Sequence, residues 1–144
     1  MTTRPLPEAA FRVLLSLIFL VSGATHLLKP EAVAARLDLA PFAHLAAVLA
    51  PSTTLVWLAG VALLAGGLAL LVGFQTRLAA LGLIAVLVPI TLTVQLTPEA
   101  VGPLFKNVAI LGGLVFFAAH GAEGYSVDRL LRRRRIRSLD PALS

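Results

Sequence analysis

Residues 55–74 read LVWLAGVALLAGGLALLVGF, twenty residues with no charge and no proline. A helix needs ~20 predominantly apolar residues to cross the hydrocarbon core of a bilayer, where each backbone N–H and C=O must be bonded within the protein. Three further stretches of the same kind flank it, at Phe11–Leu28, Leu78–Leu96 and about 101–121. The last is apolar by strict count only over Asn107–Gly121. A helix starting near Pro98 extends it and places Lys106 and Asn107 inside it. The expected fold class is an all-α membrane protein, a four-transmembrane-helix bundle over residues 1–128 followed by a basic tail over 129–144.

The rest of the composition fits that class. The chain is 58% hydrophobic and 13% charged, against roughly 25% charged for a soluble domain. Its 144 residues make one domain. The net charge is +5, but six of the twelve basic residues lie between Arg129 and Arg137. A basic run beside an apolar span is a topology signal and an attraction to anionic lipid, so nucleic acid is not expected as a partner. With no cysteine, the chain has no disulfide, iron–sulfur ligand or thiolate metal site of its own. The first stretch is longer than the ~7–15 apolar residues of a signal peptide, and Lys29-Pro30 separates it from Ala32-Val33-Ala34, so it reads as a span.

Orientation follows from counting Lys and Arg on each side. Arg4, Arg12, Arg77 and the six tail arginines fall on one side; Lys29, Arg36 and Lys106 fall on the other. A nine-to-three split predicts both termini in the cytoplasm of a multi-pass plasma-membrane protein. The last residues, beyond about Arg137, are expected to be disordered.

Between the first two spans, Glu31–Ala50 mixes charges with apolar residues. Phe42, Leu45 and Leu49 share one helical face, and Pro41 divides the segment. It reads as a short amphipathic segment over the outer mouth of the bundle, with that face buried. Pro51-Ser52-Thr53-Thr54 reads as a helix start capped by a hydroxyl. Ala65, Ala69 and Gly73 recur every four residues, with Ala62 and Gly66 in a parallel row, so close packing of this helix within the bundle is expected. Gly73–Arg77 is a tight turn that makes the second and third spans antiparallel neighbours. Pro89 leaves the carbonyl of Ala85 without its usual partner, to be met by Thr91, Thr93 or a neighbouring helix.

The segment from Gly102-Pro103-Leu104-Phe105-Lys106-Asn107 through Gly112-Gly113 to Tyr125-Ser126-Val127-Asp128 resembles the C-terminal signature of the DoxX family of small bacterial membrane proteins. Arg12 with Ser22-Gly23, and Gly73 with Arg77-Leu78-Ala79-Ala80, resemble the same family, so the likeness covers about residues 8–130. It implies a four-helix bundle and a loose association with membrane redox chemistry. Some relatives are named as subunits of thiosulfate:quinone oxidoreductase, and others are linked to oxidative-stress complexes. One departure is plain: many members resemble one another in a glutamate early in the second span, and the matching place here, near Leu63, has none. No acid occurs between Asp38 and Glu99.

The remaining chemistry lies in a few polar residues. Ser22, Thr25 and His26 share one face of the first span, Thr91 and Gln95 end the third, Trp57 opens the second, and Lys106 and Asn107 open the fourth. On the charge count all of these sit at the outer end, and the inner halves read as almost purely apolar. Ser22, His26, Trp57, Gln95, Lys106 and Asn107 are the candidate ligand-binding residues, with Lys106 facing the bundle interior. Lys106, Asn107 or Gln95 would donate to a quinone-like carbonyl, and His26 would exchange a proton. Structural roles compete with each: snorkelling for Lys106, an interface anchor for Trp57, backbone bonding for His26, interhelical bonding for Gln95. His120 reads as a helix-end residue. His44 and His26 alone make no metal site, and His26 and His120 lie at opposite ends, so neither metal nor haem is expected. No triad, phosphate loop or carboxylate pair appears, so the chain is not expected to be an enzyme alone. Two readings stand: an accessory subunit or assembly factor of a membrane redox complex, associating with other membrane subunits or itself, and a binding module for a quinone or lipid.

Overall fold

A computed structural model describes residues 5–96 and 100–139, without the side chains of 5 and 135–139. Among the described residues seven helices follow one another: α1 Pro5–Leu28, α2 Pro30–Asp38, α3 Ala43–Ala47, α4 Ser52–Val72, α5 Thr76–Val94, α6 Val101–His120 and α7 Val127–Leu139. Four of them, α1, α4, α5 and α6, are long and apolar enough to cross a membrane. The chain is therefore an all-α, four-helix membrane bundle. Pro98 lies outside the described residues, as do Asp140–Ser144, where much of the expected terminal disorder falls.

The four long helices form a ring in chain order: α1 packs along α4, α4 against α5, and α5 against α6. Phe11 of α1 closes the ring on α6, its ring 5.4 Å from Phe117 and 6.1 Å from Phe116. Leu15, Phe19, Leu63, Leu70, Leu83, Leu114 and Phe117 fill the centre. Four spans leave the start of α1 and the end of α6 at one end of the bundle, here called proximal; the α1–α4 and α5–α6 connections lie at the distal end.

The closest helix pair is α1 with α4. A Cβ on Gly23 would stand 2.9 Å from the backbone N of Leu64 and 3.0 Å from the carbonyl of Gly60. A Cβ on Gly67 would meet Phe19 and Leu20 at 3.1 Å. The row that brings α4 into the bundle is thus Gly60 and Gly67. Ala65, expected to pack inside, is exposed, and Ala62 and Ala69 are half-buried beside it.

The segment after α1 also differs from its expected burial. It forms two short helices, broken around Pro41, but Ala34 and Ala46 are its buried residues. Leu45 and Leu49 are 54% and 78% exposed. An amphipathic helix at a bilayer surface lays its apolar face into lipid, so these leucines need no protein cover. Ala34 is the buried residue of α2, which packs against α4, and Ala46 that of α3. Ser52 does not cap α4; its hydroxyl donates to the Asp38 carboxylate, tying the end of α2 to the start of α4. In α5 the helix runs through Pro89. Thr91 and Thr93 donate to the carbonyls of Leu87 (2.7 Å) and Pro89 (2.8 Å), not to Ala85.

Because Gly23 faces backbone atoms that cannot rotate away, Gly23→Ala is expected to lower stability by about 1–3 kcal/mol, the range for overpacking. Gly112 has open space around its Cα, so Gly112→Ala is expected to be neutral or stabilising. Unfolding of both variants in detergent micelles checks the contrast, and equal effects would contradict the α1–α4 contact.

Candidate functional site

The bundle contains two polar clusters, and the denser one lies at the proximal end, where the sequence reads as apolar. Arg12 counts as a flanking charge in the sequence, yet it is 2% exposed. Glu8, one helical turn earlier and on the same face, is buried as well. Both reach the link between α6 and α7. The Glu8 Oε2 accepts the backbone N–H of Glu123 (3.2 Å) and Gly124 (2.5 Å). Arg12 Nη2 donates to the carbonyls of Tyr125 (2.8 Å) and Gly124 (3.5 Å). The acid takes the link's donors and the base takes its acceptors.

Asp128, in the first turn of α7, continues the fastening. Its carboxylate accepts the backbone N–H of Gln75 (2.7 Å) and of Thr76 (3.0 Å), and the Thr76 hydroxyl (2.9 Å). These are orphan donors at the start of α5, which no residue of α5 caps. In return, Asp128 N–H donates to the Gly73 carbonyl at 2.9 Å. The Ser126 hydroxyl donates to Ala122 O at 3.2 Å and accepts from Arg129 N–H at 3.3 Å.

The backbone is bent to allow this. Gln75 and Tyr125, with φ of 44° and 42°, are the non-glycine residues with positive φ among the described residues, and both present main-chain atoms to the cluster. Gly73 has φ of 69°, and a Cβ there would fall 1.7 Å from Arg12 Nη1 and 2.5 Å from Ser126 Cβ. Glycine is required for space as well as for conformation. Glu8 Oε1 and Arg12 Nε and Nη1 have no partner among the described residues.

The distal end holds the predicted site residues, and the structure divides them. Asn107 is buried and donates from Nδ2 to Thr91 Oγ1 at 2.8 Å. Gln95, one turn beyond Thr91, is half-buried, and its Oε1 is enclosed without a partner among the described residues. The Thr91–Asn107 bond therefore joins α5 to α6, and Gln95 stands at the end of α5 beyond it. His26 bonds the Ser22 carbonyl through Nδ1 at 2.7 Å, and its Cβ lies against Gly60 of α4. Among the described residues no hydrogen bond joins this pair to the Asn107 group. Lys106 is exposed, contrary to the expected inward orientation. Neighbouring helical positions point ~100° apart, so a helix that buries Asn107 turns Lys106 outward. Trp57 is 46% exposed on the outside of α4. His120, at the proximal end, stacks on Phe116 at 4.6 Å and bonds its carbonyl at 3.0 Å. No three of His, Cys, Asp and Glu come together as a metal site among the described residues.

A third feature is lateral. Between α4 and α5 a cavity of about 300 Å³ opens to the bilayer side, lined by Ala62, Ala65, Gly66, Ala69 and Gly82 and closed proximally by Phe74 and Gln75.

The DoxX family model matches residues 9–96, well over half of the chain. The chain belongs to the DoxX family. The matched residues run from α1 to the end of α5. The Tyr125–Asp128 motif lies beyond them and is, in this DoxX protein, the fastening between α7 and the α4–α5 turn. The family-like position near Leu63 is apolar core, 2% exposed. Searches among curated proteins and solved structures gave no significant match.

Asp128→Ala is expected to cost about 1–2 kcal/mol, as loss of a helix cap does, and to speed hydrogen exchange at the Gln75 and Thr76 amides. Asp128→Asn keeps an acceptor and should retain part of both. Exchange at those amides unchanged in Asp128→Ala would show that α5 is capped by other means.

Proposed function

We propose that this DoxX protein is an accessory or assembly subunit of a membrane redox complex, embedded in a bacterial plasma membrane with both termini cytoplasmic. The observation that carries the subunit reading is the lateral groove between α4 and α5. Within lipid, helices associate through close van der Waals packing, and small residues permit it. Ala62, Ala65, Ala69 and Gly82 give a crevice shaped for a helix from another chain, on a face the bundle leaves open. The redox setting rests on the family resemblance alone.

Gly82 has open space around its Cα and Ala65 is exposed. Ala65→Leu with Gly82→Leu therefore fills the groove from the bilayer side and leaves the interior untouched. The double variant should fold with wild-type stability and lose the integral membrane protein that accompanies the wild type through mild extraction. Retention of that partner in equal amount, or a wild-type chain that carries none, would refute the subunit reading.

One observation favours a second reading, a quinone-type binding module: the enclosed Gln95 Oε1, unpartnered among the described residues, one turn beyond the Thr91–Asn107 bond. An amide oxygen accepts, so its complement is the hydroxyl of a reduced quinol and not a quinone carbonyl. Gln95→Leu decides between them. If a quinol meets Oε1, the variant loses bound quinol on extraction and mass analysis. If nothing does, removing an unsatisfied acceptor should raise stability by about 1–3 kcal/mol.

A further inference from the structure

At the proximal end a second cavity, about 650 Å³, lies between the end of α4 and the start of α7. Val72, Tyr125, Val127 and Leu130 give it apolar walls, and Arg129 and Arg133 line the same space. We propose that this cleft binds an anionic glycerophospholipid, with the phosphate between Arg129 and Arg133 and the upper acyl chain against Val72 and Leu130.

Three features carry the assignment. The first is depth. α4 ends at Val72 and α6 at His120, so the cleft begins where the apolar spans stop, at the level of lipid phosphates. The second is chemistry. Arg129 and Arg133 are one turn apart on α7, and both are exposed. Two planar guanidinium forks one turn apart suit a phosphate diester better than a point charge does. Leu130 and Val72, 61% and 48% exposed, give the apolar contact that a free anion would not use. Tyr125, 69% exposed, has the amphipathic ring that settles at bilayer interfaces. The third is rigidity. The first turn of α7 is bolted to the α4–α5 turn through Asp128, so the arginines stand at a fixed distance from α4. A volume of this size lies within the ~300–1,000 Å³ of small-molecule sites. The inference does not depend on the subunit reading, which concerns a separate cavity between α4 and α5.

Native mass spectrometry of the full chain in detergent, titrated with phosphatidylglycerol, tests the site. Arg129→Gln with Arg133→Gln is expected to weaken retention roughly 30-fold, from about 1 kcal/mol for each arginine near a lipid surface. Arg132→Gln with Arg134→Gln removes the same charge from outside the cleft and should change it less than about 3-fold. Leu130→Asn keeps both arginines and should also weaken retention. Equal losses in the two arginine pairs would replace the site with diffuse basic attraction and overturn the proposal. Unchanged binding in Leu130→Asn would make the ligand a free phosphate or an acidic protein segment, and would overturn it too. Equal retention of phosphatidylcholine would do the same. The groove variant Ala65→Leu with Gly82→Leu should bind phosphatidylglycerol as the wild type does, which separates this test from that of the subunit reading.

Discussion

The proximal end of the bundle depends on one arrangement: Glu8 and Arg12 gripping the α6–α7 link from opposite polarities. A non-helical link near a bilayer has main-chain donors and acceptors that lipid cannot satisfy. Here the acid meets Glu123 and Gly124 N–H, and the guanidinium meets Gly124 and Tyr125 C=O. A buried charge is costly unless it is paired and hydrogen-bonded. Each of these two charges offsets part of its burial through the link's own backbone. The link's position then sets that of Asp128, and Asp128 sets the start of α5. Residues more than a hundred positions apart in sequence are held together by side chains of a single turn of α1. Gly73 is part of the same constraint, because any side chain there would occupy the guanidinium's place.

Much of the architecture was legible in the sequence because the governing requirement is local. A span must be long and apolar, and LVWLAGVALLAGGLALLVGF announces that without reference to any other segment. The clasp was not legible, because Arg12 beside an apolar run has the same local appearance as a topology-setting flank. Its signal is the pairing of Glu8 with Arg12 four residues on, together with Tyr125-Ser126-Val127-Asp128, but the target of that motif in the α4–α5 turn lies about fifty residues away. At the distal end, residue type pointed to the right depth but not the right azimuth. Asn107 and Lys106 were grouped by position in the chain, and helical geometry separates them. Phe42, Leu45 and Leu49 do not lie on one helix, since α3 covers only Ala43–Ala47, and all three stand open to the outside of the bundle. The helical period alone does not say whether the cover is lipid or protein.

The two ends therefore differ in kind. The proximal end is a network in which charged side chains serve the backbone, and its strained residues, Gln75 and Tyr125, are held by several bonds. Among the described residues the distal end is sparser: a buried Asn–Thr bond, the exposed Ser52–Asp38 bond, a histidine turned onto its own helix, and an amide oxygen with no donor. An account of ligand chemistry at the distal end must start from Gln95, since Lys106 and Trp57 face away from the interior. An account of attachment to the membrane surface must start from the proximal end, where α7 leaves the bundle in a fixed direction.

The small residues of α4 and α5 point beyond the single chain. Gly23, Gly60 and Gly67 are explained by the fold, because a larger side chain at any of them meets α1 or α4. Gly82 is not explained in that way. Nothing stands within 4 Å of a Cβ built on it, and a glycine within a helix costs about 1 kcal/mol relative to alanine. Ala65 is likewise free of intramolecular contact demands on its outer side. Bundle stability gives no reason for these positions to be small, yet with Ala62 and Ala69 they shape one continuous groove. Smallness that serves no contact within the chain is what supports the proposed helix of another chain in this groove, because close packing in lipid makes use of missing side chains.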